Sequence, residues 1–359
     1  MSTSRDRPAL RIGVLGAGRI TEMAMIEPAR LVGAQVVAIA ARDAHRAKQF
    51  ARQHGIPRAY GSYQELVDDH EIDLVYNALV NSLHTRWNIA ALQAGRHVLT
   101  EKPFAANAIE AAQVRSAAAA ADRLIVEGFH YSHHPVTHRL GDIVRSGALG
   151  TIQNTNIDMF MSAPPDADPR WSMELAGGAM MDLGCYAVNA MRQFGKWSSG
   201  EPRLLSAEGS ERRGRPGVDE WMRAELEFPN GLTGTIHVNM ASEGGFSMPW
   251  TISGERGSVL APAWPVPHTD DRIITTTDQG SQTHHLGTRT SYTYQLEALS
   301  AALRGDFPFP SDANDAVRNM ELIDDIYRGA GFAPRGQPSQ KGTSETEPAP
   351  SHVTKPPAV

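Results

Sequence analysis

Two rhythms of apolar and polar positions run through the first 130 residues. Short apolar, β-branched runs at Ile12–Leu15, Val36–Ala41, Leu74–Leu79, Val98–Thr100 and Leu124–Val126 predict buried strands. Between them, helical spacing covers Ile20–Ala29, Ala44–His54, Leu83–Ala94 and Ala108–Ala121. Pro28 is expected to end the first of these helices and Gly95 the third, and the alanine-rich fourth is a strong helix former. Strands that alternate with helices imply crossover connections and a parallel, doubly wound α/β sheet.

The pattern changes near residue 130. One more helix, Pro135–Ser146, precedes longer strands at Thr151–Met161, Met222–Phe228 and Leu232–Met240. Pro229-Asn230-Gly231 reads as a hairpin turn and Asp278-Gln279-Gly280 as another, so this half is expected to be α+β with an open-faced, mostly antiparallel sheet. Helices are expected over Tyr292–Leu303 and Asp315–Tyr327. The expected divisions are 8–130, 131–332 and a tail, 333–359, whose Pro, Ser, Thr and Gly content cannot bury enough surface to order it.

Composition narrows the function classes. The chain has 359 residues, with 34 Lys and Arg against 40 Asp and Glu, a net charge of −6. That lacks the basic surplus of a nucleic-acid binder. One cysteine rules out an intramolecular disulfide and suggests a reduced, cytoplasmic setting. No apolar run approaches the ~20 residues of a membrane helix, and the glycine-broken start does not read as a secretory signal.

Gly16-Ala17-Gly18-Arg19-Ile20-Thr21 follows the first strand and opens the first helix. Gly16 allows a tight turn and Gly18 lets the backbone approach a pyrophosphate at the helix N-terminus. The third position of this dinucleotide fingerprint is Thr21 rather than Gly or Ala. At the end of the second strand, Arg42 stands where an acid would select NAD. It suits the 2′-phosphate of NADP, with NAD the alternative if Arg42 is only a solvated charge. Asp43 is expected to cap the next helix.

Glu101-Lys102-Pro103 comes just after a strand, at the carboxyl edge where ligands bind in such sheets. Lys102 there can donate to a substrate oxygen. In Gly177–Asn189 a glycine pair precedes a helix expected to start near Ala179. Asp182, Tyr186 and Asn189 then share one polar face, a candidate site on an otherwise apolar helix.

These segments, with Asn81-Ser82-Leu83-His84 and Ala94-Gly95-Arg96-His97-Val98, resemble the Gfo/Idh/MocA oxidoreductases, the family of glucose–fructose oxidoreductase and inositol dehydrogenases, from about Ile12 to Tyr327. The resemblance implies a Rossmann domain followed by a substrate and oligomerisation domain. Many members carry histidine where this chain has Tyr186. The tyrosine version resembles the branch of NADP-dependent D-xylose 1-dehydrogenase and dimeric dihydrodiol dehydrogenase. It implies Lys102 and Tyr186 as the catalytic pair, with Asp182 orienting them. Tyr186 would serve as general base, with Lys102 favouring its phenolate. It further implies cofactor contacts from Gly16, Gly18, Arg19, Ile20, Arg42, Asn81, His84, Glu101 and Lys102. Substrate contacts are expected from Lys102, Asp182, Tyr186, Asn189 and His130. Val80 and Ser132 depart from the family pattern, where proline and arginine are common.

The expected activity is hydride transfer between NADP and a CH–OH group of a sugar or polyol, first an aldose at C1, with inositols or trans-dihydrodiols as alternatives. A non-catalytic NADP(H)-binding sensor is the rival of another class. A homodimer or homotetramer is expected, with no membrane or nucleic-acid partner. No metal is expected, because His130, His133, His134 and His138 lack a spaced carboxylate or thiolate and Pro135 interrupts them. His284-His285 is expected in a solvated hairpin. Cys185 is read as a small buried residue, and Trp171, Trp250 and Trp264 as core.

Overall fold

In the computed structural model, residues 9–336 are described, and two sheets organise them. The first is six-stranded and parallel: β1 (Arg11–Leu15), β2 (Gln35–Ala40), β3 (Arg58–Tyr60), β4 (Leu74–Asn77), β5 (His97–Thr100) and β6 (Ile125–Glu127), in the order β3-β2-β1-β4-β5-β6. The strand order reverses between β1 and β4, which opens a crevice at their carboxyl ends.

The first helix is longer than expected. Arg19–Thr21 runs into a π-helical turn, Glu22–Ile26, and then Glu27–Val32, ending at Gly33. Pro28 does not stop it, because it sits in the first turn of the last segment, where its missing N–H costs little. Ala44–His54 starts on Asp43, whose carboxylate accepts from the His45 and Arg46 amides, as expected.

The second sheet has eight strands: β7 (Ile152–Phe160), β8 (Arg203–Glu211), β9 (Asp219–Glu227), β10 (Thr233–Asn239), β11 (Trp250–Gly254), β12 (Gly257–Ala261), β13 (Arg272–Thr277) and β14 (Gly280–His285). Their order is β14-β13-β12-β11-β7-β10-β9-β8, antiparallel except where β7 runs parallel to β10. On β9 and β10 one side buries Met222, Ala224, Leu226, Ile236 and Val238. Phe194 of the helix Cys185–Trp197 meets Phe228 edge-on at 5.1 Å on that side. The other side presents Trp221, Arg223, Glu225 and His237.

After β14 the chain returns to the first domain. Tyr292, Leu296 and Leu299 of helix Ser291–Leu303 join one core with Ile12, Val14, Ile39, Leu74 and Leu99. Helix Ala313–Gly329 accepts the Ala108 amide on Asp324. Both of these late helices therefore pack back on the first domain.

Disorder from residue 333 does not hold at its start. Arg335 is fully buried, donates to the carbonyls of Gly177 (2.6 Å) and Gly217 (2.9 Å), pairs with Asp219 and lies over the Tyr327 ring. The rest of the expected disordered tail, 337–359, lies outside the described residues. Among the described residues, no helix is long and apolar enough to cross a membrane.

Candidate active site

The glycine turn after β1 is shaped for close approach. Gly16 has φ +106°, and a Cβ there would stand 3.0 Å from the Ala78 carbonyl. At Gly18 a Cβ would meet nothing within 4 Å, which leaves open space over the start of the helix for a dinucleotide phosphate. Thr21 explains the imperfect fingerprint. Its hydroxyl donates to the Gly16 carbonyl at 2.7 Å and closes the turn from below. Arg19 and Arg42 are exposed at this edge, with Ile20 half-buried behind them. Sequence reasoning missed Arg46, one helical turn beyond Arg42, whose guanidinium donates to the Ala17 carbonyl at 2.8 and 3.1 Å. That second cation beside the glycine turn further suits a phosphate-bearing cofactor.

The loops after β4 and β5 flank the turn. Asn81 donates its amide to the Ala176 carbonyl at 2.9 Å and ties the first domain to the glycine segment ahead of Asp182. The Glu101 carboxylate accepts from Tyr76 at 2.6 Å, and burial raises its pKa. His84 does not fit the cofactor role expected of it. It is fully buried, with Nδ1 2.7 Å from the Pro103 carbonyl and Nε2 2.9 Å from the Leu79 carbonyl. Both ring nitrogens are engaged, so His84 braces the two loops instead of meeting a ligand.

Lys102 follows β5 at a cis Lys102–Pro103 bond. Its ammonium donates to the Asp182 carbonyl (2.8 Å) and carboxylate (3.0 Å), and lies 4.9 Å from the Tyr186 ring centre. Burial disfavours this charge, but Asp182 outweighs it and raises the pKa of Lys102. Burial likewise opposes the Asp182 carboxylate, yet Lys102 and Arg170 together hold its pKa below the usual range. Arg170 reaches the second Asp182 oxygen at 2.7 Å from the turn Pro169–Trp171. No spacing signal pointed to Arg170; it is brought in by the loop after β7.

Asp182 and Tyr186 straddle a change of helix type. Met180–Gly184 is a π-helical turn, and the regular helix Cys185–Trp197 follows. Gly178, at φ +125°, lies against Asp219, leaving no room for a side chain. Asp219 in turn accepts the Met180 amide at 2.6 Å and so anchors the turn.

Tyr186 is 9% exposed, and its hydroxyl lies 3.1 Å from His130 Nε2. Burial, with smaller contributions from Tyr292 and Glu101, pushes its pKa well above that of a free phenol. The expected phenolate is thus not the resting form, because desolvation exceeds any help from Lys102. His130, expected to touch substrate, instead joins Tyr186 to Ser291, whose Oγ is 2.8 Å from Nδ1. Asn189 also leaves the expected face. It accepts from the Tyr131 hydroxyl at 2.6 Å inside a buried network that reaches Asp315. Ser132 accepts from Gln193 at 2.7 Å and is buried, so its departure from the family pattern is absorbed in packing.

Cys185 is buried, and burial raises its thiol pKa. Trp171, Trp250 and Trp264 are core residues. Around Tyr186, Phe129, Tyr131 and Trp264 lie with ring centres 5.5, 6.0 and 6.4 Å away. His285 pairs with Asp271 at the end of the β13–β14 hairpin.

Comparison with known proteins identifies the family. Residues 10–129 match the oxidoreductase family with an NAD-binding Rossmann fold, GFO/IDH/MocA, and residues 137–260 match the GFO/IDH/MocA C-terminal domain. D-xylose 1-dehydrogenase (NADP(+)) 2 of Haloferax volcanii is 35% identical over 329 residues, covering 89% of this chain and 97% of its own. Trans-1,2-dihydrobenzene-1,2-diol dehydrogenase of Sus scrofa is 32% identical over 263 residues, covering 71% and 76%. Among solved structures, a 3-ketoreductase from Actinomadura kijaniata in complex with NADP and TDP-benzene superposes with a TM-score of 0.82 at 25% identity, over 90% of this chain and 98% of that one.

Proposed function

The chain belongs to the Gfo/Idh/MocA oxidoreductase family, and from that premise we propose an NADP-dependent dehydrogenase that oxidises a CH–OH group of a polyhydroxylated small molecule, an aldose at C1. The observation that carries this reading is the meeting of the Lys102 ammonium, the Asp182 carboxylate and the Tyr186 phenol beside the dinucleotide edge of the parallel sheet. Similarity to the xylose dehydrogenase over nearly its whole length supports the aldose.

A bound nicotinamide would supply the hydride acceptor, and the residues of the chain bind, orient and move the proton. Lys102 donates to the substrate oxygen and steadies the charge that grows there. Tyr186 accepts the proton from that oxygen, or returns it in the reductive direction, where its neutral phenol is already suited to donate. Asp182 holds the ammonium in place and is itself held by Arg170. Arg42 takes the 2′-phosphate, while Gly16, Gly18, Arg19, Asn81 and Glu101 frame the cofactor.

A second substrate, a cyclic trans-diol, is supported by similarity to the trans-1,2-dihydrobenzene-1,2-diol dehydrogenase over most of its length. We place the enzyme in the cytoplasm as a homodimer or homotetramer joined through the open face of the second sheet. The single cysteine supports the first statement, and half-buried Trp221 beside exposed Arg223 supports the second.

The test has two stages. Fluorescence titration with NADPH and NADH, on wild type and Arg42→Ala, should give tighter NADPH binding that collapses in the variant. NADH preference untouched by the substitution would make Arg42 a surface charge. Turnover with NADP⁺ on aldoses, inositols and trans-dihydrodiols then ranks the substrates. Tight cofactor binding without turnover on any of them would favour a sensor and defeat the dehydrogenase.

A further inference from the structure

A buried phenol with a raised pKa is a poor exit for a proton unless the proton can move on. The Tyr186 hydroxyl faces His130 Nε2 at 3.1 Å. His130 Nδ1 faces Ser291 Oγ at 2.8 Å, and the same Oγ faces His268 Nδ1 at 3.1 Å. His130 and Ser291 are buried, whereas His268 is half-exposed on the loop between β12 and β13. The row begins at the reacting group and ends at water.

We infer that Tyr186 exchanges its reaction proton with solvent through His130, Ser291 and His268, which act together as a proton relay. The inference rests on the dehydrogenase reading and adds three residues to it, none of which touches substrate.

The hydrogen bonds balance in both settings. In the outward setting Tyr186 O–H donates to His130 Nε2, His130 Nδ1–H donates to Ser291 Oγ, and Ser291 O–H donates to His268 Nδ1. As the substrate hydroxyl gives its proton to the Tyr186 oxygen, each bond passes one proton along. The O–H of Tyr186 breaks as Nε2–H forms, Nδ1–H breaks as a Ser291 O–H forms, and the old Ser291 O–H breaks as His268 Nδ1–H forms. His268 then holds two N–H groups and releases the Nε2 proton to water. One proton enters and one leaves, and all four groups end neutral in the inward setting. Reduction of a carbonyl runs the row backwards. Because the transfers are linked, Tyr186 never stands as a free phenolate.

The surroundings keep the row neutral. The Tyr292 ring lies tilted against His130 with ring centres 3.9 Å apart, and its hydroxyl pKa is raised by burial. Burial lowers the His130 pKa strongly, with Lys102, His133, His134 and His268 all facing it and opposing a positive charge. Burial also lowers His268, so it sheds a proton readily at neutral pH. Asp271, at the end of the same loop, is engaged by His285 and the Gly287 amide.

The experiment uses the full chain and whichever substrate the panel identifies. His268→Ala and Ser291→Ala should each lower kcat about 10- to 100-fold, below the span usual for a direct acid or base. NADPH affinity and Tm should hold. Exogenous imidazole at millimolar levels should restore turnover of His268→Ala, where it can accept from Ser291, but not of Ser291→Ala. Unchanged kcat in both variants overturns the relay, as does a loss that imidazole leaves unmoved and that tracks a fall in Tm. A readout without substrate keeps this separate from the functional reading. In ¹⁵N-histidine spectra Ser291→Ala should change the tautomer of His130, and an unaltered tautomer overturns the relay even if the panel finds no substrate. Wild type that fails to turn over the panel while His130 does respond overturns the dehydrogenase reading alone.

Discussion

At the scale of single residues, the site is a contest between desolvation and charge. Lys102 and Asp182 stay ionised because each has the other, and Arg170 adds a second cation to the carboxylate. Tyr186 has no opposite charge bonded to its oxygen, so burial decides its state. Substituting Lys102→Met removes the donor aimed at substrate but leaves Asp182 paired with Arg170, so the fold should survive. We expect kcat to drop about 10²- to 10⁴-fold in Lys102→Met and in Tyr186→Phe, the range typical for a lost acid–base group. NADPH affinity should change by less than about tenfold, a margin of about 1.4 kcal/mol. Steady-state kinetics and fluorescence titration check both. The meeting of Lys102 with Asp182 and Tyr186 was legible because each lies in a short segment of distinctive residues. Asn189 and His84 were misread because only packing shows that their polar atoms are already taken.

At the scale of elements, the helix that carries Asp182 and Tyr186 depends on a clamp that no periodicity reveals. Asp219 at the start of β9 accepts the Met180 amide, the Tyr327 hydroxyl and the Arg335 guanidinium, all out of water. Arg335 comes from a stretch whose composition alone suggests disorder, and its partners lie more than 100 residues away. Removing one member of such a pair leaves a buried charge uncompensated, which costs about 3–5 kcal/mol. Arg335→Ala should therefore lower unfolding free energy by roughly that amount in denaturant titrations. A loss below about 1 kcal/mol, as at an exposed pair, would mean that the clamp does not hold the helix. The elements were unevenly legible for a related reason. Ala44–His54 and Ala108–Ala121 could be read to the residue because their caps and composition are local. β8 escaped notice because its Arg203–Glu211 side chains are mostly exposed and lack an apolar run. β11 and β12 are short and take their places from pairing with β7 and β13. The π-helical turns carry no sequence signature, and the one at Met180–Gly184 breaks the regular spacing on which the shared face of Asp182, Tyr186 and Asn189 was reasoned.

At the scale of the whole molecule, burial of imidazoles between the two sheets sets the response to acid. Burial pulls His133 and His134 down to about 4, and lowers His84 and His130 as well. In the unfolded chain each returns to about 6.5. Between these values the unfolded state binds more protons than the native one, so stability is greatest above about pH 6.5 and falls as pH drops toward 4. Asp324 works the other way. Burial lifts its carboxyl to about 6, so the native state takes up a proton first as pH falls, and this returns some stability between about 6 and 4. Burial lifts Glu101, Glu127 and Asp158 in the same sense. The paired Asp182 and Asp315 are held low and act with the histidines, so the net slope should follow the histidines and these paired carboxylates. Thermal melts should lose midpoint steadily from pH 7 to pH 4.5, with His133 contributing on the order of 2 kcal/mol at the acid end. His133→Phe keeps an aromatic ring against Phe309, whose centre is 4.7 Å away, and removes the titrating nitrogen. Its melting curve should flatten over that interval while the neutral-pH midpoint stays within a few degrees. Asp324→Asn should steepen the same curve, because one of the opposing carboxyls is gone, and should raise the midpoint at pH 7.5. If both substitutions shift the curve in the same direction at acid pH, the loss comes from somewhere other than these buried groups.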